Sequence, residues 1–484
     1  DDYLLYVSRI LYHLAQFYAR LGRGQEADDA FRESISCGTH LLETSNQLGS
    51  RLELLRTLGA WGVRWHYGLF LMSTNRLREA EVMLQKAYDL SKELPESDVW
   101  WNRHTTGNLV SSTLAVVQIS IGKPLDAELT TRKIVEAPIF QQLDPVFRAT
   151  ILGNLCRALR KTNRPFDAED ALRKARDLWM VLYDKEPSVE WIAILDYALV
   201  LGKLMMQTGR YSEAEDMFDE ALQLTKEYAK EETPYTLALA NGHLGVLFRE
   251  TGRLSKAEIS HKTSLKMLRS MGEISTIQFR SDIADSLNNY AILLRVTGKF
   301  NDAENYYKEA LEILKNLSSD SPEHVEVQNR VATILTNYGI LLKSMDKLTE
   351  AENFYNKALE IRKKLVKISP EMFAKHLAWT LNNLGVLLLE TDRHQKSKEC
   401  LKESLQLLRN LAEKTESMFL PDIATVLHNL NILHRQSGDT VEAEKAVNEV
   451  IRISEILMKK DPRAYQDRFT TNEPMEIDEV LLDL

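Results

Sequence analysis

One short register mark constrains this chain more than any other feature. A small residue followed by an acid recurs as Ala27-Asp28, Ala80-Glu81, Ala127-Glu128, Ala168-Glu169, Ala214-Glu215, Ala257-Glu258, Ala303-Glu304, Ala351-Glu352 and Ala443-Glu444, with Ser397-Lys398 in the one gap. The ten marks are spaced 41 to 53 residues apart, most often 46. Three further columns keep step with them. Four residues after the mark stands a large knob: Phe31, Leu84, Leu172, Phe218, Tyr307, Tyr355 or Leu401. Seven residues after it a small residue returns, as at Ala87, Ala221, Ala310 and Ala358. Twelve residues before it comes another small residue, as at Ala15, Gly68, Ala115, Cys156, Gly202, Gly245, Ala291, Gly339 and Gly385. Columns held in register over so many copies mean an array of repeated units.

The stretch from Ser281 to Leu314 shows what one unit is. Leu287, Tyr290, Ala291 and Leu294 follow the three-and-four spacing of a helix. Thr297-Gly298-Lys299 interrupts it, and Gly298 can take the positive φ that ends many helices. Asn301 or Asp302 is placed to cap a second helix striped by Ala303, Tyr306, Tyr307, Ala310 and Leu311. The small residues stand where two helix backbones must approach closely.

This pattern resembles the tetratricopeptide repeat, a helix-turn-helix unit, and the resemblance covers nearly the whole chain. The units are longer than the family's 34 residues, as in kinesin-light-chain arrays and the repeats of many signalling ATPases. The resemblance implies an all-α fold, a right-handed superhelical solenoid of about ten repeats. It is specific for fold and says little about function.

Composition agrees with a solenoid. A chain of 484 residues is too long for one compact core, yet no Pro/Gly/Ser-rich linker divides it. Stacked repeats resolve this, because the core grows lengthwise. Residues 1–190 hold four degenerate repeats, 191–462 six regular ones, and 463–484 an acidic tail. In repeat 3, Pro138 must shorten or kink the second helix. Trp61, Trp65, Trp100 and Trp101 cluster in or just after repeat 2, as helix packing or as an aromatic platform for a partner. Residues 94–108 lose the helical period and read as a long loop. In the tail, Ile477, Val480, Leu481 and Leu484 fall on one helical face. That segment is expected to be a capping helix, a docking motif in cis or on another copy, or the start of a second domain.

No constellation in the sequence carries catalysis. There is no GxxxxGK[ST], no HExxH and no GxSxG. Cys37, Cys156 and Cys400 have neither pairing nor metal spacing, and Cys156 falls at a packing position. Expectations are therefore a non-enzyme without cofactor or metal, in the cytoplasm. A net charge of −9 argues against nucleic acid as the main partner, and no apolar run reaches membrane-span length. The chain opens on Asp rather than Met, which raises the expectation of a fragment.

The resemblance assigns the first helices to the concave wall. Two residues before the small position of each first helix stands His13, His66, Thr113, Asn154, Val200, His243, Asn289, Asn337, Asn383 or Asn429. Asparagine is a poor mid-helix choice, so five in one column need a reason. The column resembles the asparagine ladder of sugar-transferase and kinesin-light-chain repeats, where each amide grips the backbone of an extended peptide. A side-chain amide both donates and accepts, as a peptide unit does. The alternative is an amide that bonds between neighbouring helices and holds the stack. One residue earlier stand Asn288, Thr336, Asn382 and His428; Ile292, Ile340, Val386 and Ile432 supply an apolar floor. Arg249, Arg295, Lys343 and Arg435 form a candidate basic rim, or are merely cations at helix C-termini.

The expected function is a non-catalytic scaffold that binds an extended, partly acidic segment of a partner protein in this groove. The second reading is the sensor region of a larger effector, beside a nucleotide-binding switch domain or a caspase-like protease. The chain's own tail has the composition such a groove accepts. Self-occupancy or self-association is therefore expected, and deleting Met475 to Leu484 should raise affinity for a partner peptide.

Overall fold

The computed structural model describes residues 2–44, 55, 62–91, 93, 103–183, 187–228, 234–272, 276–413, 416–460 and 474–477. Among them are twenty α-helices in ten antiparallel pairs, so that repeat n consists of helices α(2n−1) and α(2n). Repeats 1 to 5 contain α1 (Asp2–Arg20), α2 (Gly24–Thr44), α3 (Val63–Ser73), α4 (Leu77–Ser91), α5 (Arg103–Ser120), α6 (Pro124–Val135), α7 (Pro145–Lys161), α8 (Pro165–Tyr183), α9 (Pro187–Gln207) and α10 (Tyr211–Tyr228). Repeats 6 to 10 contain α11 (Pro234–Glu250), α12 (Leu254–Ser270), α13 (Ile277–Val296), α14 (Phe300–Asp320), α15 (Val325–Ser344), α16 (Leu348–Ile368), α17 (Pro370–Glu390), α18 (His394–Ala412), α19 (Glu416–Gln436) and α20 (Thr440–Lys460). The chain forms two compact bodies, residues 1–162 with 166–184, and residues 163–165 with 185–484. No helix among the described residues is long and apolar enough to cross a membrane.

The ten turns share one backbone device. Each has a single residue of positive φ five positions before the register mark: Gly22, Asn75, Gly122, Asn163, Gly209, Gly252, Gly298, Asp346, Asp392 and Gly438. Where glycine is missing, Asn or Asp takes the left-handed conformation, as these two do most readily among the other residues. The second helix of repeat 7 begins at Phe300 with Lys299 as its N-cap, and no side chain caps it. Asn301 and Asp302 thus lie inside the helix rather than at its cap, because the cap falls two residues before Asn301.

The acid of the register mark has a partner in the next turn. Asp28 meets Arg76 at 2.5 Å, Glu81 meets Lys123 at 2.7 Å, and Glu215 meets Arg253 at 2.7 Å. Glu258 meets Lys299 at 2.9 Å, Glu304 meets Lys347 at 3.6 Å, and Glu352 meets Arg393 at 2.8 Å. The odd mark Ser397-Lys398 keeps this logic with both charges reversed, since Lys398 lies 4.0 Å from Asp439. Partly exposed pairs of this kind add little stability each, but they fix which turn faces which helix.

Packing divides the two helix types in the C-terminal body. Each first helix from α11 to α17 packs on its own second helix and on the next first helix. It is therefore covered on most sides: every residue from Asn329 to Leu342 of α15 is buried. Second helices bury one stripe only, which in α14 is Ala303, Tyr307, Ala310, Leu311, Leu314 and Leu317. The glycines of the small-residue column admit the knobs. A methyl added at Gly202 would come within 2.5 Å of Phe218, and one at Gly339 within 2.7 Å of Tyr355. One apolar cluster runs without a break from Ala257 to Leu388, the lengthwise core of a stack.

The irregular N-terminal elements have local causes. α6 stops at Val135, and a 3₁₀ turn, Pro138–Gln142, follows, as the proline dictates. α5 already begins at Arg103, so the stretch read as a loop to Asn108 ends six residues earlier. Its polar first turn carries no apolar period to reveal it. Residues 94–102 lie outside the described residues, as do Trp61, Trp100 and Trp101; Trp65 is partly buried against the repeat 2 core. Cys156 is buried at its packing position.

Candidate functional site

The asparagine column converges on residues 474–477, which form no helix. Asn429 on α19 accepts from Met475 N at 2.7 Å and donates to Met475 O at 2.8 Å. Asn383 on α17 does the same for Ile477, accepting from its N–H at 2.8 Å and donating to its carbonyl at 2.9 Å. Asn382 adds a bond to Met475 O at 3.1 Å. Alternate backbone units are held, so the segment advances two residues per repeat and runs against the repeat order. The expected amphipathic helix is absent at Met475 to Ile477, because these backbone groups bond to side-chain amides instead of to a helical turn. Val480, Leu481 and Leu484 lie outside the described residues.

The same amides also tie the stack together. Asn429 donates to Asn382 at 2.8 Å, and Asn382 to Asn383 at 3.2 Å. Repeats 7 and 8 copy this wiring: Asn337 donates to Asn288 at 2.9 Å, and Asn288 to Asn289 at 3.2 Å. An amide NH2 has two protons, so Asn429 spends one on Asn382 and the other on Met475. The ladder reading and the tie reading are thus compatible. In the N-terminal body the same column pair bonds with other residues: Tyr12 to His66 at 3.0 Å, Trp65 to Thr113 at 3.4 Å, and Asn154 to the Ser112 carbonyl at 3.3 Å.

Between the two gripped residues, Glu476 turns its side chain into the wall. Tyr355 Oη donates to one carboxylate oxygen at 3.0 Å, and Lys343 Nζ lies 3.7 Å from the other. Lys343 also bonds Glu390 at 2.7 Å. Tyr355 is the knob of repeat 8, fully buried and reaching through the gap that Gly339 leaves. Burial first, and then the Glu476 carboxylate, hold its hydroxyl well above the usual phenol value, whereas Arg295 pulls the other way. At neutral pH Tyr355 is therefore a donor. Its place in the column of knobs marks it only as an apolar filler; a hydroxyl at so buried a position is the signal that a polar partner exists. The remaining rim residues differ in setting. Arg295 is partly buried, Arg249 meets its neighbour Glu250 at 2.5 Å, and Arg435 is exposed in the last turn of α19. Ile292, Ile340, Val386 and Ile432 are all buried.

The knob of repeat 6 is His261, on α12. Its ring fills the space beside Gly245, and both ring nitrogens are buried without a hydrogen bond. Burial first and the Arg249 charge second push the imidazole down to about 3. The folded value lies below the unfolded one, near 6.5, so the unfolded chain binds the extra proton between those pH values. Stability from this residue is present above pH 6.5 and is lost as pH falls toward 3. His261→Leu, which installs the knob of repeats 2, 4 and 9, removes that loss. The gap between variant and wild type is expected to widen by about 2 kcal/mol from pH 7 to pH 5, measured by urea unfolding. A constant gap would refute a buried neutral imidazole.

Comparison with known proteins places the chain in a family. The Tetratricopeptide repeat profile matches residues 191–270, 282–364 and 376–456, and a second profile of that description matches residues 8–36. The chain belongs to the tetratricopeptide-repeat family, and in its general class it is a protein–protein interaction scaffold. Among solved structures it is similar to a Rap protein complexed with Competence and Sporulation Factor, at 15% identity and a TM-score of 0.50, over 82% of this chain and 98% of that one. It is also similar to BtubC (BKLC) from P. vanneervenii, at 25% identity and a TM-score of 0.39, over 49% of this chain and 89% of that one. A third is the STAND protein with a tetratricopeptide repeat sensor from Pyrococcus horikoshii, at 11% identity and a TM-score of 0.43, over 80% and 55%. No curated protein matches by sequence.

Proposed function

We propose that repeats 7 to 10 hold an extended segment of a partner protein by its backbone, and that residues 474–477 occupy this track in cis until the partner displaces them. The paired bonds of Asn383 and Asn429 to alternate peptide units carry the reading. Backbone gripping imposes the extended conformation whatever the side chains, as strand addition does at a sheet edge. The triad Asn288, Asn289 and Asn337 repeats the wiring of Asn382, Asn383 and Asn429, so the track continues toward repeat 7. Four amide positions at two residues per repeat suit a partner segment of about seven residues.

A tethered occupant competes at an effective concentration near millimolar, so it masks the site without binding tightly. Met475→Pro with Ile477→Pro removes both gripped N–H groups and leaves the chain length unchanged. A labelled peptide with the sequence of residues 472–480, followed by fluorescence anisotropy, should bind this variant at least tenfold more tightly than wild type. Equal affinity, or no binding to the variant, would refute the proposal.

A further inference from the structure

We infer that the groove selects its ligand by one glutamate side chain, placed between two backbone-gripped apolar residues and read by Tyr355 and Lys343. This rests on the peptide-holding reading and adds what that reading lacks, since amide clamps accept any sequence. The reader is built from two elements. Tyr355 comes from α16, and its ring reaches the groove only because repeat 8 has glycine at position 339. Lys343 comes from the last turn of α15, its side chain only 15% exposed beside that of Glu476 at 16%. In repeats 1, 2, 4, 5 and 9 the same knob is Phe31, Leu84, Leu172, Phe218 or Leu401, none of which has a polar tip; repeat 6 has His261, and repeat 7 alone repeats the tyrosine, as Tyr307. A hydroxyl and an ammonium converging on one carboxylate make a charge-assisted site in a largely desolvated place.

The geometry also sets length and order. Glu476 spans from the backbone to Oη with its full side chain, so aspartate falls a methylene short. The flanking residues are Met475 and Ile477, which gives the pattern apolar–Glu–apolar, read from repeat 10 toward repeat 8. The partner class is therefore an extended protein segment of that pattern, and the chain's own tail is one example of it.

The test uses the Met475→Pro/Ile477→Pro chain and three labelled peptides with the sequence of residues 472–480, carrying Glu, Gln or Asp at the position of Glu476. The Glu peptide should bind about tenfold or more tightly than either of the others. Tyr355→Phe with Lys343→Met, added to the chain, should bring the Glu-to-Gln ratio below threefold while the Gln peptide keeps its affinity within a few fold. Equal binding of all three peptides to the parent would overturn the glutamate reading and leave the backbone clamp standing. If none of the three binds, both readings fail. Because the peptides alone carry the first comparison, a folding defect in Tyr355→Phe/Lys343→Met cannot imitate the expected result.

Discussion

Asn383→Ala with Asn429→Ala is expected to weaken peptide binding by about a thousandfold in the released chain. The two amides make four backbone bonds of 2.7 to 2.9 Å to the tail. At about 1 kcal/mol net per bond, their loss comes to about 4 kcal/mol. Each amide presents its donor and acceptor together, so no water rearrangement can restore both at once in a filled groove. Alanine is the better helix former, and the helical signal by circular dichroism should not fall. The tie to Asn382 is lost as well, so a small drop in the unfolding midpoint of repeats 9 and 10 is expected. Titration of the 472–480 peptide by anisotropy decides the matter. Affinity within threefold of the parent would mean that the column holds only the stack.

Arg330→Met is expected to destabilise the C-terminal body severely. Arg330 on α15 lies 3.0 Å from Asp285 on α13, with the two side chains only 4% and 8% exposed. Removing the guanidinium leaves a carboxylate buried between two first helices. Breaking one side of such a pair costs about 3–5 kcal/mol, mostly through the stranded charge. Arg330→Met with Asp285→Leu should recover most of this, because apolar side chains of similar volume leave no charge stranded. In a stack, each repeat depends on its neighbours, so the damage should centre on repeats 7 and 8. Urea unfolding with hydrogen exchange across α13 and α15 would show it. A double variant no more stable than Arg330→Met would mean that the pair does more than cancel its own burial.

The repeat count, the turn positions and the packing columns were legible because they obey local rules that recur. A small residue must stand where helices cross, and a positive-φ residue must stand at each turn. Gly298 carried that signal in one repeat; Asn75, Asn163, Asp346 and Asp392 show that the same column runs through all ten. Ser397-Lys398 was an unexplained exception in one dimension. Its meaning required Asp439, a partner 41 residues away that the fold brings to its side.

The sequence by itself determined the helix pairs, the stacking faces and the unusual asparagine column. These follow from periodicity and side-chain size, which act over a few residues. Tertiary structure alone decided that Tyr355 crosses beneath Gly339 to meet Glu476, and that Met475 and Ile477 lie along the amides instead of forming a helix. Those contacts join residues from 46 to 121 positions apart. At that range pairing is set by the geometry of the stack and not by local preference. An isolated tail has no reason to choose an extended backbone until a row of fixed amides offers it partners.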